Sequence, residues 1–85
     1  MAIWNCRIVE FSDEQKSFEF VAVNAPRAID AAERYLGNHS WDYVSWEDDT
    51  DGVVEVAEDG FVGEPKRFRV RAYTAIRFGL EQEDE

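Results

Sequence analysis

Cysteine is nearly absent from this chain, and no long apolar run is present. The single cysteine, Cys6, excludes an intramolecular disulfide, whereas small secreted domains normally rely on several. No window approaches the ~18 consecutive apolar residues of a transmembrane helix, and no basic segment followed by an apolar run begins the chain. We therefore expect a soluble cytoplasmic protein without a signal peptide.

Histidine is as scarce as cysteine. A tetrahedral zinc site or a Cys–His catalytic pair would have to combine His39 with Cys6, which are far apart in sequence. No stretch supplies an activated nucleophile or a phosphate-binding loop. We therefore expect no catalytic residue, no metal centre and no cofactor. Cys6 shares a predicted strand face with Trp4 and Ile8, which indicates a buried thiol.

Basic residues are the third scarcity, with 9 Lys and Arg against 19 Asp and Glu and a net charge of −10. Such a charge repels nucleic acid and anionic membranes, so that a basic protein is the natural partner. The charges are also segregated. Nine acids and no base lie between Asp42 and Glu64, and five of the nine bases lie between Lys66 and Arg77.

The chain does contain enough apolar material to fold, because 45% of it is hydrophobic and 14% aromatic. Period-two alternation predicts strands at 2–11, 17–23, 41–47, 53–58 and 66–78. A helix is predicted with Asn24 as its N-cap, Pro26 in its first turn and Gly37 at its end. The prediction is a single α+β domain over residues 1–80, in which one antiparallel sheet of about five strands carries one helix on one face (ββαβββ). Residues 81–85 are predicted to be a disordered acidic tail.

The acidic stretch 46–60 has the ligand spacing of an EF-hand calcium loop. Counting from Glu47, the matching positions are Asp49, Asp51, Gly52, Val54 and Glu58. The first ligand is Glu where the motif has Asp, and the flanking segments favour strands and turns over helices. The preferred interpretation is a hairpin turn rich in aspartate with Gly52 at positive φ. A weak cation site is the alternative.

Clustered carboxylates in the predicted hairpin 47–59 and in the tail indicate a negative surface for a basic groove on a partner. Trp46 is the candidate apolar anchor. The predicted partner-binding residues are Trp46, Glu47, Asp48, Asp49, Asp51, Glu55, Glu58 and Asp59. The simpler alternative is that arginines of the strand 66–78 pair across the sheet with Glu19 and Glu55, and that the remaining acids serve solubility.

A second functional hypothesis uses the row of arginines on one face of the predicted strand 66–78. Forked guanidinium groups two residues apart can hold the carboxylates or phosphates of an anionic ligand or peptide. The candidate residues are Arg67, Arg69 and Arg71. A further apolar patch, which leaves a homodimer open, is indicated by Val9, Phe11, Val21 and Val23.

A short first hairpin, an alanine-rich helix in VAVNAPRAIDAAERYLG and a returning antiparallel sheet resemble small phage-encoded inhibitors of host defence, among them anti-CRISPR proteins. The resemblance covers residues 17–48. It implies a single-domain, non-enzymatic inhibitor in the host cytoplasm that occupies a nucleic-acid-binding surface and, in acidic members, imitates the phosphate backbone. It assigns no individual contact residue. The expected function is therefore that of an acidic inhibitor of a basic, nucleic-acid-binding protein or complex.

Overall fold

Six strands and one α-helix form in the computed structural model, which describes residues 2–60, 63–74 and 77–83. In chain order they are β1 (Ala2–Phe11), β2 (Glu14–Gln15), β3 (Val21–Ala25), α1 (Ala28–Asn38), β4 (Asp51–Glu58), β5 (Lys66–Thr74) and β6 (Arg77–Gln82). Every pairing is antiparallel, and the sheet runs from β1 through β4 and β5 to β6. Strands β2 and β3 pair with successive parts of β1 along its other side. The predicted α+β fold, one antiparallel sheet with one helix packed on it, is confirmed.

Small side chains bring α1 close to the sheet. Ala31 and Ala32 are fully buried together with Tyr35 and Leu36, and the helix contacts β1, β3 and β4. The sheet side of this core consists of Cys6, Ile8, Val23, Ala25, Val54, Val56, Phe68, Val70 and Ala72. Each large apolar side chain removed from water in this way stabilises the fold by about 1.5–3 kcal/mol. The predicted alternation of buried and exposed residues in β5 is confirmed from Arg67 to Tyr73 but not at Thr74, which is exposed. The predicted burial of Cys6 is confirmed.

A gap between β2 and β3 is filled by the helix. β3 pairs with β1 as far as Cys6, and β2 begins to pair at Glu10, so that Ile8 has no strand partner on that side. The Ile8 backbone N–H instead donates to the Tyr35 hydroxyl oxygen at 3.3 Å. The helix therefore satisfies a buried strand donor that the sheet leaves open.

The helix begins later than predicted. Asn24 pairs with Ile3 in the β1–β3 ladder, so it is a strand residue and not the N-cap. Arg27 is the N-cap, and its guanidinium donates to Asp30 at 2.8 Å in the first turn. This hydrogen bond lowers the pKa of the Asp30 carboxyl. Gly37 lies inside α1, with nothing within 4 Å of the position that a Cβ would take.

The predicted strand 41–47 does not form. A 3₁₀ helix, Ser40–Asp42, follows α1, and irregular chain then leads into β4. The sequence DDTDG is therefore an entry into β4 and not a hairpin turn. Asp49 has the positive φ of 64°, whereas Gly52 is a buried strand residue.

The predicted strand 66–78 is two strands. β5 ends at Thr74 and β6 begins at Arg77, and the two pair as a hairpin; Ile76 lies outside the described residues. β6 continues to Gln82, and the Glu83 N–H donates to the Arg67 carbonyl at 2.9 Å. Residues 81 and 82 thus belong to the sheet and not to a tail, whereas 84 and 85 lie outside the described residues.

Three of the four residues of the predicted second apolar patch pack with the core instead: Phe11, Val21 and Val23. Val23 is only 6% exposed and belongs to the core, and the Phe11 ring packs edge-on against Trp46 with centroids 5.0 Å apart. A β-bulge between Ile8 and Glu10 shifts the alternation of β1 and turns Phe11 towards the core.

Candidate functional site

The face of the sheet opposite α1 is covered by charged side chains in cross-strand rows. The registers place Glu55 between Arg7 and Arg67, Val53 between Glu10 and Arg69, and Asp51 beside Arg71. Glu81 continues the second row and Gly79 the third. We refer to this surface as the open face.

One row of the open face is held by a two-donor ion pair. The Nε and Nη2 atoms of Arg7 both donate to Glu55 Oε1, at 3.1 and 3.0 Å. The Cζ atom of the Arg7 guanidinium also lies 4.3 Å from the centroid of the Phe20 ring, in a cation–π contact. Glu55, a predicted partner-binding residue, is therefore engaged inside the molecule, with 15% of its side chain exposed.

The three arginines of the second hypothesis share one face of β5, as predicted, but two nearby carboxylates offset part of their positive charge. Glu83 lies 3.9 Å from Arg67 Nε and 3.8 Å from Arg69 Nε, and Asp51 lies 3.2 Å from Arg71 Nε. Such exposed pairs add about 0–1 kcal/mol each to stability. They nevertheless reduce the positive potential on which a small anion would depend.

A groove of about 440 Å³ runs over this region. Four carboxylates line it, against two guanidinium groups: Glu10, Asp13, Asp51 and Glu81 against Arg69 and Arg71. Tyr73 forms one wall and lies so close over Gly79 that a Cβ there would be 2.7 Å from its ring. The surplus of acids favours a cationic occupant over an anionic one.

The predicted acidic site is divided by the fold. β4 spans 8 residues, so that its ends lie ~23 Å apart at ~3.3 Å per residue. Glu47, Asp48 and Asp49 are exposed before the start of β4, whereas Glu58 and Asp59 are exposed at its far end. The carboxylates of 47–59 therefore do not form one surface.

The fold brings one further acid, Asp13, close to the acids before β4, although Asp13 is far from them in sequence. The Ser12 N–H, in the turn after β1, donates to the Asp51 carbonyl at 2.8 Å, which brings the neighbouring Asp13 to the start of β4. We call the resulting surface the acidic rim, and it consists of Asp13, Glu47, Asp48, Asp49 and Asp51. Asp51 is paired with Arg71, and the other four rim acids take part in none of the ion pairs found among the described residues.

Trp46 is not an exposed anchor, and that prediction was wrong. Its side chain is only 3% exposed, its ring packs edge-on against Phe11 and Phe78, and its indole N–H donates to Ser40 Oγ at 2.9 Å. The exposed aromatic residue beside the rim is Tyr73, 65% exposed. Nothing in the local sequence places Tyr73 next to Asp13 and Asp51, with which it lines the groove.

The calcium-loop interpretation fails on local structure. An EF-hand loop needs a helix on each side, but β4 begins at Asp51 inside the proposed loop. No group of three or more His, Cys, Asp or Glu residues with metal-binding geometry occurs in the described ranges. Burial raises the pKa of the Cys6 thiol to about 12, so the nucleophilic thiolate does not form near neutral pH.

Comparisons with known proteins identify no relative of this chain. No protein-family model matches it, and neither the curated proteins nor the solved structures yield a match. Within residues 2–60, 63–74 and 77–83, no helix has the length and apolar character needed to cross a membrane.

Proposed function

We propose that this protein is a non-enzymatic inhibitor that docks its acidic rim on a basic, nucleic-acid-binding surface of a partner protein. One observation carries the proposal: the ion pairs among the described residues engage six of the nine bases and include only one of the five rim acids, Asp51. The bases held in these pairs are Arg7, Lys16, Arg27, Arg67, Arg69 and Arg71.

The rim is held in place by backbone hydrogen bonds. The Asp49 N–H donates to the Ala72 carbonyl at 2.7 Å, and the Thr50 N–H donates to the Glu47 carbonyl at 3.1 Å. Carboxylates held on an ordered loop lose little conformational entropy on binding, since the backbone is already fixed. A surface that binds phosphates would meet several negative charges in the rim.

Tyr73 supplies the rim with an exposed aromatic side chain. Tyrosine is enriched among the residues that carry most of the binding energy in interfaces, where a ring fills a desolvated pocket. It also offers a face to arginine side chains of the partner. The rim acids then contribute association rate and specificity, and Tyr73 contributes buried area.

The charge and the sequence resemblance together narrow the class of partner. A net charge of −10 disfavours direct binding of nucleic acid. The pattern of residues 17–48 resembles phage inhibitors of host defence, so a nucleic-acid-binding defence complex is the first partner class to test. The arginine row remains the alternative, but the ion pairs to Glu83 and Asp51 weigh against a small anion there.

The test is capture from a nuclease-treated bacterial lysate on immobilised protein, with stepwise elution in salt and mass spectrometry. The rim variant combines Glu47→Gln, Asp48→Asn and Asp49→Asn. The matched control removes the same charge at the other end of β4 through Glu58→Gln, Asp59→Asn and Glu64→Gln. We expect the wild type and the control to retain a nucleic-acid-binding protein that the rim variant loses.

The captured protein is then titrated with an oligonucleotide that it binds. Competition between this oligonucleotide and the wild-type protein, weakened in the rim variant, would support the proposal. Equal retention by the rim variant and the wild type, or a captured partner that does not bind nucleic acid, would refute it. Tyr73→Ala is expected to weaken binding without changing its dependence on salt, since the substitution removes no charge.

A further inference from the structure

Strand β6 is the outer strand of the sheet and has no neighbour on its outer side among the described residues. The Glu83 N–H points at β5, where it donates to the Arg67 carbonyl at 2.9 Å. On the β4 side, the Ala72 N–H donates to the Thr50 carbonyl, and the Ala72 carbonyl accepts from the Asp49 N–H. Both backbone groups of Ala72 therefore point away from β6, so Ala72 and Phe78 form a non-hydrogen-bonded pair. It follows that the backbone groups of Phe78, Leu80 and Gln82 point outwards. Such an edge is a template for another strand.

We propose that β6 pairs with β6 of a second copy of this chain, antiparallel, about a two-fold axis at Gly79. In this register Phe78 lies opposite Leu80 of the second copy and exchanges both backbone hydrogen bonds with it. Arg77 lies opposite Glu81 of the second copy in a non-hydrogen-bonded pair, where side chains approach most closely. The two-fold axis forms each of these pairs twice.

The side chains of β6 are complementary to themselves in this arrangement. Arg77 and Glu81 take part in none of the ion pairs of the described residues, and both lie exposed on the open face. Phe78 and Leu80 face the helix side, half-buried against the core. The second copy would thus pair two charges of opposite sign and cover the remaining exposed area of two apolar side chains.

Other registers satisfy fewer groups. A shift by one residue places an outward-facing backbone group opposite an inward-facing one and breaks the ladder. A shift by two residues in one direction places Leu80 opposite itself and Phe78 opposite Gln82, so Phe78 loses its apolar partner. The same shift in the other direction places Phe78 opposite itself and Arg77 opposite Gly79, so the charge pair is lost. The register centred on Gly79 is therefore the one in which charge, apolar contact and backbone hydrogen bonds agree.

The net charge of −10 opposes any self-association, but most of it lies away from this edge. Neighbouring strands are ~4.8 Å apart, so β4 lies ~10 Å and β1 ~14 Å from β6. Asp51 on β4 and Asp13 in the turn after β1 are therefore beyond the ~8 Å Debye length at physiological ionic strength. Arg71 lies beside Gly79 in the β5–β6 ladder and is paired with Asp51. On β6 itself the charges nearest the axis are Arg77 and Glu81, which attract one another across it.

The dimer would continue the open face across both copies. Glu81 lines the groove, so Arg77 of the second copy would stand at the edge of that groove. Two grooves and two acidic rims would then face the same side of one extended sheet. This arrangement goes beyond the proposed function and does not depend on it.

The experiment is sedimentation equilibrium over a range of protein concentrations at physiological ionic strength. We expect a monomer–dimer equilibrium that Arg77→Glu and Glu81→Arg each weaken by about tenfold or more, because each variant places like charges opposite one another. The double variant Arg77→Glu/Glu81→Arg restores the pair and the net charge, and is expected to dimerise like the wild type. Glu33→Arg, at an exposed position of α1, makes the same charge change as Glu81→Arg away from the edge and should have no effect.

Rescue by the double variant separates this edge from any other dimer interface. A wild-type protein that stays monomeric at every concentration would overturn the proposal. So would single variants that dimerise normally, or a double variant that remains as weak as the singles. Far-ultraviolet circular dichroism of each variant checks that the protomer is folded.

Discussion

At the scale of single residues, Gly52 shows how a side chain can be excluded by packing alone. A Cβ on Gly52 would lie 2.9 Å from the Glu10 carbonyl oxygen and 3.1 Å from the Trp46 ring. Gly37, in α1, has open space at the same position. Gly52→Ala is therefore expected to destabilise the fold by about 1–3 kcal/mol through overpacking, whereas Gly37→Ala should stabilise it by about 0.5–1 kcal/mol. The midpoints of urea unfolding measure both changes, and a shift of the same sign in the two variants would contradict this account.

The sequence indicated the importance of Gly52 for the wrong reason. A glycine after three aspartates within four residues is typical of a turn with positive φ, and that conformation is found at Asp49 instead. Glycine is required at position 52 because Trp46 and β1 leave no room for a Cβ there. Only the tertiary structure brings Trp46 and β1 close to Gly52. Local sequence contains no information about such a close approach.

Two buried ionisable residues make the fold sensitive to alkaline pH. Burial raises the pKa of both the Cys6 thiol and the Tyr35 hydroxyl to about 12. Between pH ~9 and ~12 the unfolded chain loses these protons while the folded chain keeps them, so the free energy of unfolding falls as pH rises. Cys6→Ala should flatten this fall, whatever its effect on stability at neutral pH. Urea titrations at several pH values measure the slope, and equal slopes in the variant and the wild type would contradict the assignment.

At the scale of elements, one serine joins the end of α1 to the irregular chain that precedes β4. Ser40 is fully buried; its hydroxyl donates to the Leu36 carbonyl and accepts the indole N–H of Trp46 at 2.9 Å. Ser40→Ala leaves that N–H buried without an acceptor and should cost about 1–3 kcal/mol. Ser45→Ala, at an exposed position in the same segment, is the control and should change little.

Repeating Ser40→Ala in a Trp46→Phe variant tests whether its cost comes from the hydrogen bond to the indole. In Trp46→Phe the indole N–H is gone, so Ser40→Ala should cost less there than in the wild type. The difference between the two backgrounds is the coupling between the serine and the indole, measured by chemical unfolding. A coupling near zero would show that the hydrogen bond does not hold this segment.

The contacts of Ser40 with Trp46 explain why the predicted strand 41–47 does not form. Aromatic residues at 41–47 have high β propensity, but Trp46 turns inward between Phe11 and Phe78 and is fixed by Ser40. By contrast, β1, β3, α1, β4 and β5 follow from local alternation and helical periodicity. The break between β5 and β6 was missed because inward and outward residues continue to alternate through 66–78, and no glycine, proline or asparagine marks the hairpin.

At the scale of the whole molecule, the charge balance was predictable from the sequence but its distribution in space was not. Residues 47–59 are adjacent in sequence, yet β4 carries their two ends apart. Asp13 joins the rim through the contact of Ser12 with Asp51, which only the β1–β4 register determines. The identity of the pairs, such as Arg7 with Glu55, likewise follows from register and not from spacing along the chain.

The surplus of acids predicts that salt stabilises the folded protein. Screening weakens both the attraction within the ion pairs and the repulsion among unpaired acids. The pairs contribute little because most of their side chains are well exposed, whereas a net charge of −10 destabilises the compact state as a whole. Raising NaCl from ~0.01 M to ~0.15 M shortens the Debye length from ~30 to ~8 Å, so the melting temperature should rise. The rim variant with Glu47→Gln, Asp48→Asn and Asp49→Asn should show a smaller rise, because part of the repulsion has already been removed. A melting temperature that falls with salt in the wild type would mean that the ion pairs of the open face outweigh the repulsion among the acids.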